Sequence, residues 1–268
     1  MSAILIYIKN VTMPNYRKSV CYFCGKASTS KEHAPPKLFF REFSCDSITV
    51  PSCAEHNSHK SGDDQTIVSA LIQSLKNSQT KDGSSSNLSP EVQKAIEIAE
   101  SSFDPTKGRV KNVDLFGASS FQNEFPKVAH FQGKIDGWTK QLTAALVWDS
   151  IKSFDNSIDW DKSIVRSPSW LPSDLPEPLN TEKIMKYTNM WQEVEAMESK
   201  IEWINGWSAH PRGYPSEIYQ FYFADAKEND LIFKHRFYKS YRFFVLFSAN
   251  EKIINAIFER ATTYRTNS

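Results

Sequence analysis

Only four of the 268 residues are cysteine. A secreted disulfide framework would use many more, so the redox setting expected from the sequence is a reducing cytoplasm. No sign of charge dominates either: 32 Lys and Arg face 31 Asp and Glu, a formal net charge of +1. This excludes a chain that binds nucleic acid through overall basicity, and leaves any affinity for phosphate to a local patch. Long apolar runs are also missing. The stretch Ala3–Ile8 has six apolar residues with no basic leader or small-residue cleavage site, which predicts a strand within residues 1–12. Nothing approaches the ~20 apolar residues of a membrane span, so the expectation is a soluble protein with no membrane partner. No nucleotide fingerprint, G-x-S-x-G or P-loop is found. Apolar material is plentiful: 40 % hydrophobic and 13 % aromatic residues exclude global disorder and can fill one large domain or two modest ones.

Three of the four cysteines stand at metal-ligand spacings. Cys21-x2-Cys24 and Cys53-x2-His56, with 28 residues between the pairs, make a four-ligand set in the sulfur and nitrogen chemistry that zinc prefers. Gly25 follows Cys24 directly, where a tight knuckle needs positive φ. Four protein ligands leave no open position, so this Zn²⁺ is expected to be structural, stapling a segment too short to build its own core. The competing reading of Cys21 and Cys24 is a pair of buried free thiols; Cys45, away from either knuckle, is expected to be a buried bystander. Residues 1–62 also carry eight Lys/Arg against four acids, a local net of +4. That is either ordinary fluctuation or a phosphate-facing patch.

Around the knuckles lie STSKEHAPPKLFF (Ser28–Phe40) and ITVPSCAEHNSHKSGDD (Ile48–Asp64). Over about residues 20–65 the pattern C-x-x-C…E-H-x-x-P…V-P-x-C-x-x-[C/H]-N resembles the HNH endonuclease family, whose core is a ββα-metal finger. It is most similar to a bacterial E-H-x-P-P subgroup. The resemblance implies that His33 is the general base and that Glu32 and Asn57 hold a catalytic Mg²⁺ or another divalent cation. His59, Asp63 and Asp64 would complete or support that site; equally, Asp63 and Asp64 are helix-start residues favoured by the macrodipole. The physical logic is sound: a near-neutral imidazole can deprotonate water, and a hard cation can stabilise phosphoryl charge. Lys26, Lys31, Lys37, Arg41 and Lys60 are candidate phosphate contacts. The chain departs from the family pattern at three places. His56 replaces the usual fourth Cys, Ser61 replaces a His of the tighter metal binders, and Ile48 stands where many members carry the central Asn that orients the base. Asp46 or the backbone would have to substitute for that Asn.

The implied function is a metal-dependent endonuclease cutting DNA to 5′-phosphate and 3′-hydroxyl ends, with a part in bacterial or phage defence. Because an unregulated nuclease is toxic, a regulatory protein partner or homo-oligomer is expected. The alternative is a catalytically degenerate zinc-finger interaction or nucleic-acid-binding subunit.

The expected fold class is α+β: a zinc-stapled ββα module, then a helical body with a C-terminal antiparallel, aromatic-rich sheet. The expected division is a module at 1–77, a linker or loop at 78–91 and a specificity, regulatory or docking domain at 92–268. Ser61 or Asp63 should cap a helix with Ile67, Ala70, Leu71, Ser74 and Leu75 on one face. A helix follows Pro90, and residues 111–134 read as one or two strands. Asp136–Phe154 is a strong helix with Trp138, Leu142, Ala145, Leu146, Trp148 and Ile151 as its apolar face. A further helix is expected around 181–204, with Met190, Trp191, Val194 and Met197 as core. Ile218–Phe223, Leu231–Phe237 and Tyr241–Phe247 predict an antiparallel meander, closed by a terminal helix. His130, His210 and His235 have no ligand-spaced partners and are assigned no role.

Overall fold

A computed structural model describes residues 19–40, 43, 45, 47–58, 60–81, 89–90, 92–94, 97, 121–166, 196–206, 214–227, 229–239 and 241–267. The strand expected within 1–12, most of the 181–204 helix, and Arg41, Asp46 and His59 lie outside these residues. The first knuckle, Cys21–Lys26, turns back on itself: Gly25 N–H bonds Cys21 O at 3.0 Å and Cys21 N–H bonds Lys26 O at 2.7 Å. Gly25 has φ +70° as the sequence requires, and a Cβ there would lie 2.6 Å from the Phe154 ring. Strand β1 (Ser30–Ala34) then pairs antiparallel with β2 (Ile48–Ser52), and α1 (Ser61–Lys81) follows the second knuckle. A 3₁₀ turn at Lys37–Phe40 buries Phe39 and Phe40.

The cap of helix α1 lies one residue before Ser61 and three before Asp63, the two expected caps. Asp63 and Asp64 donate their N–H groups to Lys60 O, so Lys60 holds the cap position and both aspartates sit in the first turn. There their charge opposes the exposed N–H groups favourably. The helix runs through Lys81, over the first residues of the expected linker. Ser89 caps the next helical start, accepting from Val92 N–H at 3.4 Å.

The strands expected across 111–134 are not found in the described part: 121–134 belongs to α2 (Phe121–Ile151). Phe121, Phe125, Val128, Phe131 and Ile135 recur at three and four residues, continuing the stripe of Trp138, Leu142, Ala145 and Leu146. That helical period outweighs the strand preference of the individual aromatic and β-branched residues.

Beyond α2, a five-stranded antiparallel sheet has the order β3-β7-β6-β5-β4, with β3 Ile164–Arg166, β4 Ile204–Asn205, β5 Tyr219–Lys227, β6 Asp230–Phe237 and β7 Tyr241–Ser248. Alternation puts Tyr219, Phe221, Phe223, Phe233, His235, Phe237, Phe243 and Val245 on one buried face. The opposite face carries Tyr222, Lys234 and Phe244 in one row, with Trp203 packed against Phe244. The chain leaves helical geometry after Glu198 and enters β4 at Ile204, so the helix expected to 204 stops short. Pairing of Ile204 with Phe223 and the Gly206 N–H bond to Phe221 O hold that edge extended. Met197, expected in the core, is 37 % exposed.

Helix α3 (Glu251–Asn267) closes the body. Asn250 caps it through a 3.0 Å bond from Ile253 N–H, and Ile253, Ile257 and Ala261 form its buried stripe. The core is continuous from the hairpin to the sheet. Phe39 meets Phe237 at 4.8 Å and Trp138 at 6.1 Å between ring centroids, while Trp160 lies between Phe23 and Phe247. No helix among the described residues is long and apolar enough to cross a membrane.

Candidate metal centre and hairpin site

The two knuckles bring Cys21, Cys24, Cys53 and His56 together, their ligand atoms all within 4.8 Å of one another. A tetrahedral Zn²⁺ with arms of about 2.3 Å to sulfur would set two sulfurs about 3.8 Å apart and sulfur and nitrogen about 3.6 Å apart. Cys24 Sγ and Cys53 Sγ are 3.8 Å apart, and His56 Nδ1 lies 3.8 Å from Cys21 Sγ and 3.3 Å from Cys53 Sγ. The donor set and its spacing therefore fit zinc. Burial and the neighbouring Cys21 thiol push the Cys24 thiol up to about 12, against a backbone bond from Lys26 that lowers it. A bound cation would reverse that shift, since a coordinating thiol is deprotonated. Outside the cluster, Lys26 and Glu55 bridge the knuckles with an exposed 2.7 Å ion pair. Phe23 covers His56 at 4.8 Å between ring centroids.

The hairpin distributes the candidate catalytic residues over two faces. Along β1, Glu32 and Ala34 are buried while Lys31 is exposed and His33 half-buried. Glu32 thus points inward and His33 outward, as adjacent strand residues must. Glu32 Oε1 meets the Lys60 ammonium, and Oε2 accepts from Tyr22 OH at 2.9 Å and Ser52 Oγ at 3.4 Å. Lys60 is itself only 6 % exposed and lies 3.8 Å from Asp64 Oδ1. Burial alone pushes Lys60 down, but Glu32, Asp64 and Asp63 together leave it above its ordinary value. A divalent cation does not fit on Glu32 in this arrangement, because both carboxylate oxygens already serve a buried ammonium and two hydroxyls. Lys60, turned inward, is also removed from the phosphate contacts.

Asn57 spends its amide nitrogen on β1, donating to Ser30 Oγ at 2.6 Å and Lys31 O at 3.0 Å. It clamps the second knuckle to the hairpin. Asp63 pairs with Lys134 at 2.5 Å, and Asp64 accepts from Trp138 Nε1 at 2.7 Å, so both tie α1 to α2. Burial raises Asp64 above the usual carboxylate range, with Lys60 opposing. Among the described residues, the zinc set is the only group of three or more Cys, His, Asp or Glu ligands close enough to share an ion.

His33 stands apart on the outer face. Desolvation, with Lys37 next in effect, lowers its pKa, and Lys31 adds to this while Glu32 opposes. The shift favours the neutral imidazole, the form that can take a proton. Its cross-strand partner is Thr49, whereas Ile48 pairs with Ala34 and is buried. Directly opposed residues share a face. Thr49, not Ile48, therefore shares the outer face with His33. Thr49 was missed in the sequence, although the alternation Ile48-Thr49-Val50 signals which residue faces outward; Lys60 was expected at a phosphate and instead pairs inward with Glu32. Lys31 and Lys37 are exposed on either side of His33 in sequence; Lys26 is engaged with Glu55.

No family model, curated protein or solved structure matches this chain.

Proposed function

We propose that this protein is an HNH-type endonuclease acting on DNA, in which a zinc-stapled ββα unit presents His33 as the general base. The observation that carries the reading is the outward His33 on a hairpin whose base is closed by the Cys21/Cys24/Cys53/His56 cluster. A neutral imidazole accepts a proton from water as the oxygen attacks phosphorus; the bond from phosphorus to the 3′ oxygen breaks, and that oxygen takes a proton from solvent to become the 3′-hydroxyl. Lys31 and Lys37 flank the imidazole with positive charge suited to a phosphate, which gives affinity without sequence readout. Thr49 stands opposite His33 across the hairpin, on the same face. The resemblance adds a catalytic divalent cation; Glu32 does not fit as its ligand in this conformation.

The occupied state of Glu32 favours a second reading, a zinc-stapled nucleic-acid-binding or assembly subunit without catalysis. Nicking of supercoiled plasmid with Mg²⁺, Mn²⁺ or Ni²⁺ separates the two. Wild type is expected to nick, and His33→Ala to lose nicking while keeping zinc content, melting temperature and salt-dependent DNA binding. Equal behaviour of the two proteins would leave the non-catalytic reading standing.

A further inference from the structure

One end of the hairpin is fixed by the metal knuckles; the other is fixed from the far end of the chain. Ala34 and Ile48 form the last paired rung, next to His33 and Thr49. Tyr214, 166 residues beyond Ile48, accepts the Ile48 N–H at 2.8 Å on its phenol oxygen. The same hydroxyl donates to Ala34 O. One phenol thus bridges both strands at the rung adjoining His33.

Tyr214 is itself held firmly. Its ring lies against Phe40 at 4.9 Å and Tyr219 at 5.4 Å between centroids. Tyr219 OH meets His235 Nδ1 at 2.9 Å, and His235 Nε2 meets Thr143 Oγ1 at 2.8 Å. The clamp is therefore anchored through rings and buried hydrogen bonds to β5, β6 and α2. Burial keeps the phenol far above its ordinary pKa, so the proton donated to Ala34 is retained at all working pH values.

We propose that Tyr214 is a positioning residue for His33, the contact through which the C-terminal body sets the placement of the base. The proposal rests on the nuclease reading of His33. Without the hydroxyl the last rung opens, while the zinc centre at the other end stays closed. Misplacement of a reacting group by about 1 Å costs on the order of a hundredfold in rate, and binding of substrate is touched far less.

The test is Tyr214→Phe in the full chain, which keeps the ring and removes both hydrogen bonds. Zinc content is expected to be unchanged. The Ile48 amide should exchange at least about tenfold faster with solvent, and the His33 ring resonance should shift. For plasmid nicking, kcat should fall by about 10- to 100-fold with KM within about twofold. An unchanged Ile48 exchange rate together with an unmoved His33 resonance overturns the proposal, whether or not the wild type cleaves DNA. Absence of cleavage in wild type overturns the nuclease reading alone, and the two spectroscopic readouts still decide the role of Tyr214. Should Tyr214→Phe fail to fold, the wild-type amide decides: exchange of Ile48 at the rate of an open amide would sink the clamp, and protection close to that of the sheet core would support it.

Discussion

The buried Glu32–Lys60 pair makes the sharpest prediction, because it separates a structural carboxylate from a metal ligand. Glu32 is 5 % exposed, Lys60 6 %, and Asp64 stands 3.8 Å from the same ammonium. Removing one partner of a buried pair costs about 3–5 kcal/mol, since the remaining charge is stranded. Lys60→Met should fall at the upper end, because it strands both Glu32 and Asp64. Glu32→Gln should fall at the lower end: Asp64 still faces the ammonium, and the amide oxygen can still accept from Tyr22. At about 2–4 °C per kcal/mol for a chain of this size, the melting temperature should drop by roughly 6–20 °C. Replacing both, as Glu32→Leu/Lys60→Met, should cost less than the sum of the single changes. The sign with pH follows from the raised Lys60 pKa: the pair stabilises fully below the unfolded lysine value and is lost as pH rises through the higher folded one. Wild type and Lys60→Met should therefore converge only in strong alkali. Calorimetric melting across pH measures all of this, with Mn²⁺ titrated in parallel. The reasoning fails if Glu32→Gln melts like wild type yet abolishes a Mn²⁺-dependent stabilisation, because Glu32 would then be serving a cation rather than Lys60.

Three further outcomes follow from the same geometry. Stripping the metal with a strong chelator, or changing Cys24→Ser, should drop bound zinc well below one per chain and remove amide protection from β1 and β2; retention of a full equivalent by Cys24→Ser would refute the four-ligand site. Gly25→Ala should cost about 2–3 kcal/mol, as Ala at φ +70° is strained and its Cβ would meet the Phe154 ring at 2.6 Å; an unchanged melting temperature would contradict the knuckle geometry. Burial lowers His235 to about 3, so the folded state resists a proton that the unfolded chain takes up near pH 6.5. Stability should thus decline as pH falls from 6.5 toward 3, by on the order of 4–5 kcal/mol in total, and His235→Gln should flatten that decline; equal acid sensitivity of the two proteins would show that another group is responsible.

How far the fold was legible depended on which periodicity was local. The meander was readable because three aromatic runs alternate cleanly and are divided by turn residues, and β5, β6 and β7 follow them. The closing helix was expected from the sequence, and α3 follows it; its Asn250 cap comes from the structure. The start of α2 was not, because Phe121, Phe125 and Phe131 have strand-forming side chains and only their spacing, continued into Trp138 and Leu142, marks a helix. Met197 fitted a helical stripe in sequence, yet it lies in the last helical residues before the chain turns toward β4 and is 37 % exposed. Spacing also revealed the Cys21/Cys24/Cys53/His56 cluster that could hold a metal, since each knuckle is a two-residue loop whose geometry is local.

The hairpin site was harder for a different reason. A motif assigns residues by counting along the chain, whereas a strand assigns them by parity, and a one-residue offset exchanges faces. Counting placed Ile48 where an orienting side chain belongs; pairing places it under Ala34 in the core and gives Thr49 to His33. Glu32 and His33 face opposite sides, as adjacent strand residues must; what counting along the chain did not provide was Glu32's partner, the inward Lys60. The consequence is testable at position 49. If Thr49 steadies the imidazole, Thr49→Val, which keeps the shape and removes the hydroxyl, should lower kcat for nicking by about tenfold at unchanged KM. Ile48→Val should act only through stability, at about 0.5–1.5 kcal/mol. The reverse pattern, with kcat sensitive to position 48 and indifferent to 49, would mean that the hairpin register in solution is shifted by one residue and that the inner and outer faces have been exchanged.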